Sequence, residues 1–444
     1  MPPSKSVTHR AVICAGLTQG ESVLRNISES EDIEATLRCM RTLEAHCVRK
    51  GNEVVIRGGG MHHAQGTTHN TQSEGMDTPL LLDCGESGST LRFLMPLAAC
   101  LGQPVSFTGN GRLMERPLEP YSDLFREYGV GVVRRSSIDI AAQSLERVTL
   151  TVTGPLQGGE FRLPGHISSQ FVSGLLLALP LLSQDSTVVM TTPLESASYV
   201  DITLDVMRAF GVEVRHREYQ EFFIRGNQCY QACDYTVEGD YSQAAFFLVA
   251  AALGCNCVCA GLKEDSCQGD RRIVHILRQC GADVSWEECS YAADDLSREC
   301  SSEKGKGLCV RPRELSCVTV DISDIPDLAA PLAVLFSFCR GESRIINGRR
   351  LRYKESDRLT AVATELRKLG ADIEEGEDFL VIRGVDAFTG GQVDSWGDHR
   401  IAMMLSVAAL KSTGPVWLTG SQSVAKSYPD FFEDFGKVAA EKVK

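Results

Sequence analysis

Residues able to bind anions recur in one kind of place in this sequence. Lys5, Arg10, Arg92 and Arg400 sit at or near polar segments that open into apolar helices. Arg116 closes the stretch Gly111-Arg112-Leu113-Met114-Glu115-Arg116-Pro117. Lys354 and Arg358 belong to a basic segment running from Arg349 to Arg358, and Lys426 lies in Val424-Ala425-Lys426-Ser427-Tyr428-Pro429. The first N–H groups of a helix have no internal partner and carry partial positive charge. Lys or Arg beside them puts like charge on like, and a bound polyanion would compensate. Two carboxylates, Asp327 and Glu355, interrupt the cations. A carboxylate among cations and N–H donors is a candidate proton carrier. From spacing alone, Asp327 fits a helix cap equally well, and Glu355 an ion pair with Arg358 three residues on.

The most concentrated case is Leu81 to Leu94. An apolar strand end leads into Gly85-Glu86-Ser87-Gly88, and a helix follows from Ser89 or Thr90 with Leu91, Leu94, Met95 and Ala98 at helical spacing. Gly85 and Gly88 permit a sharp turn and close approach of a ligand. With Arg92 one turn in, the segment suits phosphate or carboxylate. It is not a P-loop, because no Lys follows Gly88. A ligand-free tight turn fits the spacing equally well.

These sites need a scaffold, and a repeat supplies it. Six polar starts, at Ser4, Gly88, Ser168, Asp240, Pro326 and Asp398, open into Val7–Leu17, Leu91–Leu101, Phe171–Leu182, Ala244–Leu253, Leu328–Phe338 and Ile401–Leu410. They recur every seventy to eighty residues or about that. Helices apolar almost all round belong inside a core. Gly129, Gly211, Gly281 and Gly370 each close an amphipathic helix that leads into an alternating strand. Helices alternating with strands predict an α/β (α+β) class. A boundary near Val237–Gly239 gives domains 4–238 and 239–444, three repeats in each. Cys289 to Lys306, rich in Ser, Asp, Glu and Lys, reads as a surface loop or hairpin.

The 444 residues suffice for two or three full cores, and the net charge of −13 argues against nucleic acid as a partner. No apolar run reaches membrane-spanning length, and the opening Met-Pro-Pro-Ser-Lys-Ser lacks a secretory pattern. The 17 cysteines therefore read as reduced thiols of a cytoplasmic protein. Cys255, Cys257 and Cys259 alternate as one face of a strand would. Without Cys-x-x-Cys spacing they read as core packing, not a metal site.

The ordered motifs resemble the 5-enolpyruvylshikimate-3-phosphate synthase family, nearly end to end. They are Pro2–Arg10, Gly85–Arg92, Gly111–Pro117, Ser168-Ser169-Gln170-Phe171, Ser198–Thr203, Asp324–Asp327, Tyr353–Arg358, Asp398-His399-Arg400 and Lys426–Phe431. The resemblance implies a two-domain inside-out α/β barrel of six βαβαββ units with buried helices, three per domain. It implies transfer of the enolpyruvyl group of phosphoenolpyruvate to the 5-hydroxyl of 3-phosphoshikimate, with release of phosphate. No metal or cofactor, no nucleic acid and no membrane takes part, and a monomer is expected. Carried over by motif, Lys5, Ser6, Arg10, Ser168, Ser169, Gln170, Ser196, Asp327 and Lys354 resemble the 3-phosphoshikimate contacts. Lys5, Gly88, Arg92, Arg116, Gln170, Arg358, Arg400 and Lys426 resemble the phosphoenolpyruvate set. Asp327 resembles the base for the 5-hydroxyl, and Glu355, with Lys354, the acid for the methylene carbon. Lys5 touches both ligands. Glyphosate is the family's inhibitor at the phosphoenolpyruvate site.

Three departures stand out. Family members usually carry a strand ahead of Pro-Pro-Ser-Lys-Ser that completes the C-terminal domain, and here it is expected to be missing. His166 stands where Asp or Asn is usual, and Ala197 where Lys is common. One alternative is the related enolpyruvyl transferase acting on UDP-N-acetylglucosamine. That family carries a loop Cys near Asn110–Gly111, whereas no Cys lies between Cys100 and Cys229 here. The other is a non-catalytic anion-binding homologue.

Overall fold

The computed structural model describes residues 1–59, 80–139, 144–292 and 302–440. They divide into two compact units, Lys5–Val237 and Met1–Ser4 with Glu238–Lys444.

In the first unit the helices are α1 (Lys5–Gly16), α2 (Glu31–Thr42), α3 (Gly88–Cys100), α4 (Glu119–Glu127), α5 (Ser169–Ala178) and α6 (Ala197–Ala209). The apolar helices α1, α3 and α5 are buried on nearly every side. In α3, Phe93, Leu94, Met95 and Leu97 are closed to solvent. Each such side chain contributes about 1.5–3 kcal/mol on burial, enough to hold a helix whose first residue is glycine. Among the described residues three four-stranded sheets cover these helices, and all three share one pairing plan. Val105–Thr108, for example, runs parallel to Leu80–Asp83, with Leu81 opposite Ser106. It runs antiparallel to Ser144–Thr153, with Phe107 opposite Leu150, and Gly131–Asp139 completes that sheet.

The second unit holds α7 (Tyr241–Ala252), α8 (Arg272–Gln279), α9 (Ala329–Phe336), α10 (Arg358–Lys368), α11 (His399–Ala409) and α12 (Phe431–Ala440). Among the described residues its sheets have three, four and two strands. The four-stranded sheet repeats the same plan, and Gly391–Asp394 pairs parallel with Val416–Thr419. The chain's first residues lie against Glu238–Asp240. Ser4 N donates to Glu238 O (2.7 Å), Asp240 N to Pro2 O (2.9 Å) and the Met1 amine to Ala260 O (3.0 Å).

The six apolar helices begin two or three residues before the expected starts, or, at α9, behind a 3₁₀ turn over Pro326–Leu328. Ser87, Ser168, Asp240 and Asp398 accept hydrogen bonds from the uncovered N–H groups, so the polar first turn is itself helical. α5 ends at Ala178, short of Leu182, and a 3₁₀ turn follows in which Pro180 supplies no N–H. Cys289 and Lys306 lie in a hairpin of Asp283–Ala292 and Ser302–Arg311, and residues 293–301 of that stretch lie outside the described residues. Cys255 and Cys257 precede the strand Val258–Ala260, so the three alternating cysteines do not share it.

Candidate functional site

In the first unit, the starts of α1, α3, α5 and α6 carry the expected residues. Ser87 caps α3, and Gly88 is its first residue. Arg92 reaches across to α5, donating to Gln170 Oε1 (2.7 Å) and to Pro117 O (3.2 Å), with its guanidinium over the Phe171 ring. Gln170 in turn donates to Ser89 Oγ (2.9 Å). A β-carbon on Gly88 would lie 2.7 Å from Arg116 Nη1 and 3.4 Å from Arg92 Nη1. Gly88, Arg92, Arg116 and Gln170 thus form one group. Ser168 caps α5, and Ser169 is buried behind it. Ser196 stands immediately before α6 in a left-handed conformation, φ 56°, and its side chain does not cap the helix.

Lys5 Nζ donates to Asp32 Oδ2 (2.7 Å), a partner in the acidic first turn of α2. Arg10 turns inward and is 2% exposed. It donates to Thr203 Oγ1 (2.6 Å), Ser6 O (2.6 Å), Ser173 Oγ (3.3 Å) and Tyr199 O (2.9 Å), which engages four of a guanidinium's five N–H donors. His166 contacts Thr192 Oγ1 at 2.9 Å, and Ala197 opens α6.

In the second unit four helix starts meet around two guanidinium groups. Arg358, the first residue of α10, donates to Asp327 Oδ1 (3.1 Å), Glu355 Oε2 (2.7 Å) and Asp398 (2.9 Å to Oδ2, 3.3 Å to Oδ1). Arg400, in the first turn of α11, donates to Asp327 Oδ2 (2.8 Å) and to Ser242 Oγ in the first turn of α7 (3.0 Å). Asp398 also accepts from Ser356 Oγ (3.1 Å) and from Arg400 N (2.9 Å). Lys426 donates to Gly397 O (2.9 Å), in the turn before Asp398.

This arrangement corrects one sequence expectation. Arg358 and Arg400 do not wait for a ligand to offset their charge, because Asp327, Glu355 and Asp398 already do so. Burial works to raise the Asp327 carboxyl, but Arg400, Lys354 and Arg358 overcome it and hold the group well below the usual carboxylate range. Burial pushes Lys354 down to about 8, with Asp327 acting against that shift. Asp327 binds two arginines and does not cap α9, while the Glu355–Arg358 ion pair does form.

The spacing of motifs in the sequence does not mark Asp398 and Asp32 as site residues. The signals were present, an Asp at the polar start of α11 and three acidic residues in the first turn of α2. Each fits a helix terminus so well that spacing gives no reason to look further.

A family model for EPSP synthase (3-phosphoshikimate 1-carboxyvinyltransferase) matches residues 1–435. The chain is 44% identical over 441 residues to the 3-phosphoshikimate 1-carboxyvinyltransferase of Clostridium kluyveri, covering 99% of this chain and 94% of that one. It is 43% identical over 443 residues to that of Clostridium novyi, again covering 99% and 94%. The solved EPSP synthase of Acinetobacter baumannii is similar with a TM-score of 0.75 at 27% identity, covering 98% of this chain and 94% of that one. Motifs, site chemistry and these likenesses agree, and the chain belongs to the EPSP synthase (3-phosphoshikimate 1-carboxyvinyltransferase) family.

Proposed function

We propose that this chain transfers the enolpyruvyl group of phosphoenolpyruvate to the 5-hydroxyl of 3-phosphoshikimate and releases phosphate, a step of the shikimate route to chorismate and aromatic amino acids. Family membership over the whole chain supports it. The carrying observation for the chemistry is Asp327, held between the buried Arg358 and Arg400, with Glu355 on the same Arg358.

Asp327 takes the proton of the 5-hydroxyl, and Glu355 with Lys354 delivers a proton to the methylene carbon. The 5-oxygen then bonds to C2 of phosphoenolpyruvate, giving a tetrahedral adduct. Loss of phosphate from C2 and of a proton from the new methyl group restores the double bond. By itself Asp327 is a poor base, because three cations stabilise its carboxylate. Substrate phosphate and carboxylate groups draw on the same cations. Their binding raises the proton affinity of Asp327 at the moment the hydroxyl arrives.

Lys5, Ser6, Arg10, Ser168, Ser169, Gln170, Ser196 and Lys354 serve 3-phosphoshikimate, Arg10 through its fifth N–H. Lys5, Gly88, Arg92, Arg116, Gln170, Arg358, Arg400 and Lys426 serve phosphoenolpyruvate. The pairing plan common to four of the sheets, with the six buried apolar helices, supports repeated βαβαββ units, six by the sequence count, in an inside-out α/β barrel. Free thiols among the described cysteines support a reducing cytoplasm, and the family resemblance supports a monomer. A phosphate-release assay tests the reading. Release from phosphoenolpyruvate should require 3-phosphoshikimate, and release with UDP-N-acetylglucosamine in its place would overturn it.

A further inference from the structure

We propose that Glu365 and Trp396 form a latch that positions the turn leading into Asp398 and Arg400, and so sets affinity for phosphoenolpyruvate. The proposal rests on the reading of Arg358, Arg400 and Lys426 given above. The turn is Trp396–Gly397, and both residues have positive φ, 56° and 64°. Glycine adopts that conformation freely, but a bulky aromatic residue does not. Something must hold Trp396 there, and strain of this kind collects at functional sites.

Glu365 holds it. Its side chain is 1% exposed. Oε1 accepts from Trp396 Nε1 (2.8 Å), and Oε2 accepts from Asp394 N, two residues earlier (2.9 Å). Lys368 Nζ lies 2.8 Å from both oxygens and offsets the charge. Asp394 Oδ1 accepts from Trp396 N (2.6 Å), which closes the loop on itself. Two carbonyls of the turn bind Lys426 and Asp398 instead. Gly397 O accepts from Lys426 Nζ (2.9 Å), and Ser395 O accepts from Asp398 N (2.9 Å). Asp398 then fixes Arg358 and the Arg400 backbone.

One helix therefore grips this loop twice. At the start of α10, Arg358 binds Asp398, and two turns later on the same face Glu365 binds Trp396. Neither Glu365 nor Trp396 has a part in the proposed chemistry. They act through Asp398, Arg400 and Lys426, as positioning residues.

The test uses the full chain with Trp396→Phe, which keeps the ring and removes its N–H donor, with Glu365→Gln and with both together. Trp396→Phe should raise the KM for phosphoenolpyruvate by about tenfold, as for a lost hydrogen bond to a buried charged group. KM for 3-phosphoshikimate should stay within about twofold, and the melting temperature should fall by no more than about 4 °C. The double variant should be no worse than the more impaired single variant, because both weaken the same contact. Trp396 is 38% exposed, so its variant decides the matter even where Glu365→Gln folds poorly. Arg400→Gln is the control. If it impairs phosphoenolpyruvate while Trp396→Phe is neutral, the latch alone is overturned. Equal loss for both substrates with a larger fall in melting temperature also overturns it, as general loosening. If Arg400→Gln leaves phosphoenolpyruvate unaffected, the site reading falls and the latch with it.

Discussion

Arg358 and Asp398 form a two-point ion pair closed to solvent, Nε to Oδ2 at 2.9 Å and Nη2 to Oδ1 at 3.3 Å. Asp398→Asn would keep an oxygen to cap α11 but leave the Arg358 charge short of a buried partner. Removing one member of a buried pair typically costs about 3–5 kcal/mol. Urea unfolding should show a loss of that order at unchanged slope, and a loss below about 1 kcal/mol would contradict the pair's role.

Glu355 shares Arg358 with two other carboxylates, so it is not needed to anchor that arginine. Glu355→Gln should lower turnover by about a hundred- to ten-thousand-fold, the usual range for a general acid or base. The dissociation constant for 3-phosphoshikimate should change by about threefold or less. Weak binding with near-normal turnover would instead make Glu355 a binding residue.

Lys354 carries the pH dependence. Burial lowers its pKa to about 8, so the ligand-free site holds an ammonium below that pH and a neutral amine above it. An anion binds the charged form. Affinity for 3-phosphoshikimate should therefore be level from pH 7 to about 8 and fall by about tenfold per unit above it. Lys354→Arg, whose guanidinium gives up its proton far less readily than an ammonium, should remove that fall. Calorimetric titrations between pH 7 and 10 check the sign, and affinity rising with pH would refute it.

Gly88 does not adopt a left-handed backbone, so its replacement brings no strain of that kind. The added methyl of Gly88→Ala meets the flexible ends of Arg116 and Arg92 instead. Alanine also favours a helix over glycine by up to about 1 kcal/mol. The melting temperature should hold or rise, while the KM for phosphoenolpyruvate increases. Glyphosate, the longer ligand, should lose more than phosphoenolpyruvate. Equal loss for both in paired inhibition curves would place the crowding away from the ligand.

The sequence by itself determined the apolar helices, their polar starts and the cations standing there. These are local properties. Helical periodicity, capping chemistry and glycine after an amphipathic helix depend on neighbours within a few residues. Phe93 and Leu94 in α3 are buried because the segment is apolar all round, whatever packs on it. The i+3 pair of Glu355 and Arg358 was legible for the same reason.

Tertiary structure decided what each charge faces. Arg400 meets Asp327 seventy-three positions away, and Arg358 meets Asp398 forty away. No spacing rule spans such distances, and Coulomb energy depends on separation in space and on burial. The same holds for Trp396. Its sequence neighbours say only that a turn precedes a helix, whereas its backbone conformation follows from a carboxylate on α10. That Arg10 turns inward, that three cations hold the Asp327 carboxyl low, and that Gly88 needs room more than freedom are all consequences of packing.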